Sequence, residues 1–207
     1  MGWKTYLIVV DDIVSEDTIL NALSRSDYEL DVKLTGEDLF PSEGFSISSY
    51  NGCTIIGDPD LVMNIMDEYQ DPQALARVSE LGGARVVACV LHSVVNLAAF
   101  TLFQNGEVAR AYVCASDEGV VVDEGDMLEC EKRVYSAYET KTLEDGTKLF
   151  TDAEDEYDQS SLGEDVIFEV LATFFGARPD MDDDLFEIDV QTYVPPKRGF
   201  LSRLFGR

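Results

Sequence analysis

The feature that most constrains this chain is the stretch Ala84 to Ser116, ARVVACVLHSVVNLAAFTLFQNGEVARAYVCAS. Ala84 to Leu91 is apolar except at Arg85, and Val86, Val87 and Val90 add β-branched bulk. A run of this kind, too short to span a membrane, reads as a strand covered on both faces. A second apolar run, Leu97 to Phe103, meets Gln104-Asn105-Gly106-Glu107 and resumes as Val108 to Val113. Asn-Gly between two such runs is the strongest short hairpin signal, because a type I′ turn needs positive φ at both central residues. Antiparallel central strands are therefore expected at about 96–103 and 107–114, with 84–91 beside them.

Other segments join this nucleus. Thr5 to Val10 (TYLIVV) is a second buried-type strand that ends at Asp11-Asp12. Ser15 is placed to cap a helix carrying Ile19, Leu20 and Leu23. Short strands are expected at 31–34, 45–47 and 53–56. Asp58-Pro59 is a helix start: the carboxylate accepts open amides and proline fits the first helical position. Asp71-Pro72 repeats the device, and Gly82-Gly83 closes that helix. Residues 117–160 read as an acidic excursion with short strands at Val120–Val122 and Lys148–Phe150. Ser161-Leu162-Gly163-Glu164 has the pattern of a capping box. It opens a helix with Val166, Val170 and Phe174 on one line, Ile167, Leu171 and Phe175 on the next, and Gly176 as C-cap. A last strand is expected from Leu185 to Tyr193, with Phe186, Ile188 and Val190 inward. The expected fold is α+β: one domain over 1–194, with a central, largely antiparallel or mixed sheet and about four helices on it.

Charge narrows the function. Forty-one acids against fifteen bases give −26 at neutral pH, which argues against sequence-independent nucleic-acid binding and suits a soluble cytosolic protein or one with a basic protein partner. Cys53, Cys89, Cys114 and Cys130 form no CxxC pair and a single histidine accompanies them, so zinc is not expected. No cofactor is indicated. With neither a signal peptide nor a long apolar segment, the expected location is cytoplasmic.

Three segments carry a resemblance: MGWKTYLIVV, HSVVNLAAFTLFQNGEVARAY and GEDVIFEVLATFFG. Together, and in this order, they resemble an uncharacterised bacterial family of roughly this length, known mainly from actinobacteria. Its members carry a similar His-Ser-x-Val segment before the hairpin. They have an aspartate and an aromatic after it, where this chain has Asn96 and Leu97. The resemblance implies one cytoplasmic domain and transfers no catalytic residue.

Candidate chemistry is sparse. His92, beside Ser93 and Asn96, could serve as general acid-base of a small hydrolase, with Ser93 or a carboxylate as partner. No G-x-S-x-G elbow surrounds Ser93, and a histidine satisfied at a strand end is the plainer reading. Asp11-Asp12 resembles the acidic pair of a receiver domain, but no phosphoacceptor strand end accompanies it. Asp180, Asp182 and Asp184 alternate like the opening of a calcium loop. Leu185 then stands where glycine is needed and Gln191 where the bidentate glutamate belongs.

The segment 195–207, PPKRGFLSRLFGR, reverses the charge pattern with four bases and no acid. Helical spacing would gather Phe200, Leu201, Leu204 and Phe205 on one face, with Arg203 and Arg207 elsewhere. Such a basic amphipathic tail suits contact with an anionic membrane at its inner face, packing on the acidic body, or a homodimer contact. The leading expectation is a non-enzymatic acidic binding protein; the hydrolase and a peripheral adaptor held by the tail are the alternatives.

Overall fold

A computed structural model of the chain describes residues 3–35, 44–67, 80–82, 84–116, 118–144, 148–152 and 155–196, with the side chains of 32–35 and 186 left aside. The chain runs β1 (Lys4–Val10), α1 (Glu16–Ala22), β2 (Glu29–Thr35), β3 (Phe45–Tyr50), β4 (Cys53–Gly57), α2 (Pro59–Asp67) and β5 (Arg85–His92). It continues with β6 (Leu97–Gln104), β7 (Glu107–Ala115), β8 (Gly119–Gly125), α3 (Glu129–Ser136), β9 (Glu139–Thr142), β10 (Lys148–Asp152), β11 (Asp155–Tyr157), α4 (Gly163–Phe175) and β12 (Asp189–Val194). This is an α+β domain.

Nine strands form one sheet in the order β2-β12-β3-β4-β1-β5-β6-β7-β8, and every neighbouring pair is antiparallel. The expected hairpin is β6–β7, with Gln104 opposite Glu107 and positive φ at Asn105 (52°) and Gly106 (81°). Both faces of the central strands are covered, which is why their sequences are apolar rather than alternating. Along β5, Val87, Cys89 and Leu91 face one core with α3, α4 and Phe150. Val86, Ala88 and Val90 face a second core with α1, α2, Phe45 and Tyr193. All four cysteines are reduced and buried.

Local sequence explains most element ends. Ser15 caps α1 by accepting the Thr18 amide at 3.2 Å. Asp58 caps α2 through the Leu61 amide at 3.0 Å, and it also receives the Arg25 guanidinium. The second Asp-Pro start and the tail from 197 onward lie outside the described residues.

Three expectations need correction. The capping box at Ser161 is not formed. Asp158 Oδ1 instead accepts the Ser161 amide at 2.9 Å and both serine hydroxyls, a 3-10 turn follows over Ser160–Leu162, and Glu164 reaches away to Ser93. The last strand begins at Asp189, because residues Asp183–Glu187 wind into a 3-10 turn capped by Asp182. The acidic excursion holds a helix, α3, and a separate three-stranded sheet in the order β11-β10-β9.

Helix α3 turns Cys130, Val134 and Tyr135 of a polar stretch into the core, and one ion pair fixes its start. Arg110 of β7 is 1% exposed, and its Nε and NH2 groups donate to Glu131 of α3, NH2 to Oε1 at 2.8 Å. Its NH1 donates to Asp123 at 2.6 Å and to the Glu124 carbonyl at 3.1 Å. Glu131 also accepts the Leu128 amide at 2.8 Å, closing the helix start. Burial pulls the arginine pKa down, and the bonds to Glu131 and Asp123 more than reverse that, leaving it raised.

Candidate functional site

The site lies where the chain turns from β5 to β6. After His92, Ser93–Val95 makes one 3-10 turn and Asn96 adopts the left-handed conformation, φ 46°. This turn is tied to the chain start. The Ser93 amide donates to the Trp3 carbonyl at 3.0 Å, and the Trp3 amide donates to Ser93 Oγ at 3.1 Å. Ser93 Oγ then donates to the Glu164 carboxylate in the first turn of α4.

Close approach of α4 makes this contact possible. A Cβ on Gly163 would lie 2.7 Å from both Ala98 Cβ and Cys114 Sγ, so only glycine lets the helix start rest on β6 and β7. Beyond the helix, Arg178 folds back. Its guanidinium donates to Asp165 at 2.6 Å and to both Asp180 oxygens at 2.9 Å, and sits 5.4 Å from the Phe168 ring centre. The Asp180 bonds come first in raising the arginine pKa above its ordinary value. Phe168 in turn meets Trp3 edge-on at 5.2 Å.

These groups enclose a cleft of about 240 Å³ lined by Ser93, Asn96, Glu164, Asp165, Phe168 and Arg178, with Ser160, Ser161 and Asp180 at its side. A second hollow, about 300 Å³, lies past Arg178 between α3 and α4, beside Tyr138 and Glu169. The first cleft offers hydroxyls, carboxylates and an aromatic wall. The contacts shown tie Ser93 to Glu164 and Arg178 to Asp165 and Asp180, so the polar groups hold one another in place.

The expected site residues separate. Ser93 and Asn96 line the cleft. His92 continues the alternation of Val86, Ala88 and Val90 toward the α1–α2 face, and its Nδ1 is buried with no hydrogen-bond partner. Asp180 belongs to Arg178, whereas Asp182 accepts the Tyr50 hydroxyl at 2.5 Å and caps the Asp184 amide at 3.3 Å. Among the described residues, no three His, Cys, Asp or Glu side chains gather as a metal site would require. Phe200, Leu201, Arg203, Leu204, Phe205 and Arg207 lie outside the described residues. Sequence reasoning missed Asp158, Asp165 and Arg178, and gave Glu164 a capping role. These residues meet only through the packing of α4 on the sheet, which leaves no local signal.

The model of a family of unknown function, DUF6928, matches residues 30–193. The chain belongs to this family. The DUF6928 match takes in everything from β2 to β12 bar the first residue of β2 and the last of β12, including Ser93, Glu164 and Arg178, while β1 lies ahead of it at the centre of the sheet. No curated protein and no solved structure matches the chain. No helix among the described residues is long and apolar enough to cross a membrane.

Proposed function

We propose that this DUF6928 member works by binding: it presents an acidic surface to a basic protein partner. The observation that carries this reading is the charge of the lobe built from β8, α3 and the small sheet. Residues 117–160 hold fifteen acids and four bases, a net of 4 − 15 = −11. Three of those bases are already committed, Lys132 to Glu129, Arg133 to Glu169 and Lys141 to Glu156. Glu118, Asp126, Glu139, Glu144, Asp152 and Asp155 are exposed. A field of one sign over a contiguous surface steers an oppositely charged partner and sets its orientation. A hydrolase built on His92 and Ser93 finds less support, since His92 follows the face opposite the cleft.

The test is calorimetric titration with a lysine-rich polypeptide, comparing the native chain with Asp126→Asn/Glu139→Gln/Glu144→Gln/Asp152→Asn. Saturable binding weakened by about tenfold or more in the variant supports the reading. Equal affinity in both proteins overturns it. So does stoichiometric labelling of Ser93 by a fluorophosphonate, which reports an activated serine.

A further inference from the structure

We propose that the partner is held by strand addition: an extended segment with alternating basic and apolar side chains pairs with the outer edge of β8. The inference rests on the binding reading above and names how its basic partner is gripped.

The edge comes first. β8 ends the nine-stranded order, and among the described residues it pairs with β7 alone. Such an edge offers backbone donors and acceptors to any extended chain. Natural edges are commonly blunted by lysine, proline or a bulge. The seven residues of β8, GVVVDEG, include neither lysine nor proline. A bulge is present: Val120 and Val122 lie opposite consecutive residues of β7, Cys114 and Val113, and Val121 lies opposite none. What it turns outward is a valine, 52% exposed, between the half-buried Val120 and Val122. A bulge that re-aims an apolar side chain into water prepares a contact; one that guarded the edge would carry a charge there.

Charge selects the occupant. Glu118 precedes the strand, Glu124 lies near its end and Asp126 follows it, all exposed. Acids at both ends suit an incoming segment with bases at both ends, and Val121 and Val122 suit apolar side chains between them. A second copy of the chain fits badly. Two antiparallel β8 strands centred on Val121 would set Glu118 of each copy opposite Glu124 of the other, and like charges directly opposite destabilise a pair.

The experiment titrates the full chain with the blocked heptapeptide Lys-Val-Lys-Val-Lys-Val-Lys, as long as β8 itself. The control is the same peptide N-methylated at every internal amide, which keeps all charges and removes the backbone donors. By calorimetry at roughly 0.05 M salt, the first peptide should bind one per chain and at least about tenfold tighter than the control. It should also slow amide exchange within residues 119–124. Val121→Asn, neutral and at an exposed position, should weaken the first peptide by roughly threefold. Equal binding of the two peptides, no binding, or exchange slowed only away from β8 overturns strand addition. The acidic-surface reading then stands if the lysine-rich polypeptide still binds, and falls as well if that polypeptide does not. Slowing at 119–124 that grows with protein concentration in the absence of peptide assigns the edge to a second copy and overturns the proposal too.

Discussion

Arg110 and Glu131 are both buried, at 1% and 0% side-chain exposure, and they join β7, the strand next to the edge of the large sheet, to α3 across 21 residues of sequence. A charge pair taken out of water in this way contributes little net stability while intact, but strands a charge when one partner is removed.

Arg110→Ala or Glu131→Ala should therefore each cost roughly 3–5 kcal/mol. Replacing the two together by apolar residues of similar volume, Arg110→Met/Glu131→Leu, should recover most of that loss. Urea denaturation of the single and double variants checks it; equal losses in the single and double variants would contradict the buried-pair account.

Gly163→Ala would raise helix propensity, yet the added Cβ meets Ala98 and Cys114 at 2.7 Å. Overpacking of this kind costs about 1–3 kcal/mol and exceeds the propensity gain of at most about 1 kcal/mol. The midpoint of denaturation should fall. A rise would mean that α4 does not rest on β6 as described.

Burial raises the thiols of Cys53, Cys89, Cys114 and Cys130, Cys89 to about 12 from an ordinary 9.0. A folded-state pKa above the unfolded value means that stability is full below pH 9.0 and drains away as pH climbs toward about 12. Thermal midpoints should thus be flat through neutrality and drop above that value. Ellman's reagent should find no reactive thiol in the native protein at pH 8 and all of them in denaturant. Fast modification of the native protein would contradict this burial.

Asp58 is 1% exposed and serves α2 as cap and Arg25 as counter-ion. Burial comes first in raising its pKa, and Arg25 pulls part of that back. Asp58→Asn keeps an oxygen for the Leu61 amide and loses the charge, whereas Asp58→Ala loses both. The alanine variant should be the less stable by about 1 kcal/mol, the worth of a cap. Chemical denaturation of the two variants decides it, and equal stability would show that the cap bond contributes nothing.

Sequence pattern made the centre of the fold legible and left the site largely hidden, for separate reasons. Asn105-Gly106, the runs 84–91 and 97–103, and Asp58-Pro59 each act within a few residues, so their structure is written locally. Helix α3 escaped because its anchor is Arg110, a long-range partner inside an apolar strand. Leu185 to Ile188 looked like strand from its alternation, but Asp182 caps a turn there and delays β12 to Asp189. At the cleft, Ser93 and Asn96 stood out because they flank the single histidine. Glu164 and Arg178 join them only once α4 packs on the sheet.

The measurement that bears most directly on the central claim is site-specific photo-crosslinking of the full chain in its own cells. A photoreactive residue is placed at Asp155 in the acidic lobe, or at Asp17 on α1 across the sheet; both side chains are exposed. The account predicts a discrete adduct with a basic protein from position 155, lost when Asp126, Glu139, Glu144 and Asp152 are neutralised, and none from position 17. Adducts from position 17 alone, or from both positions regardless of lobe charge, would contradict it.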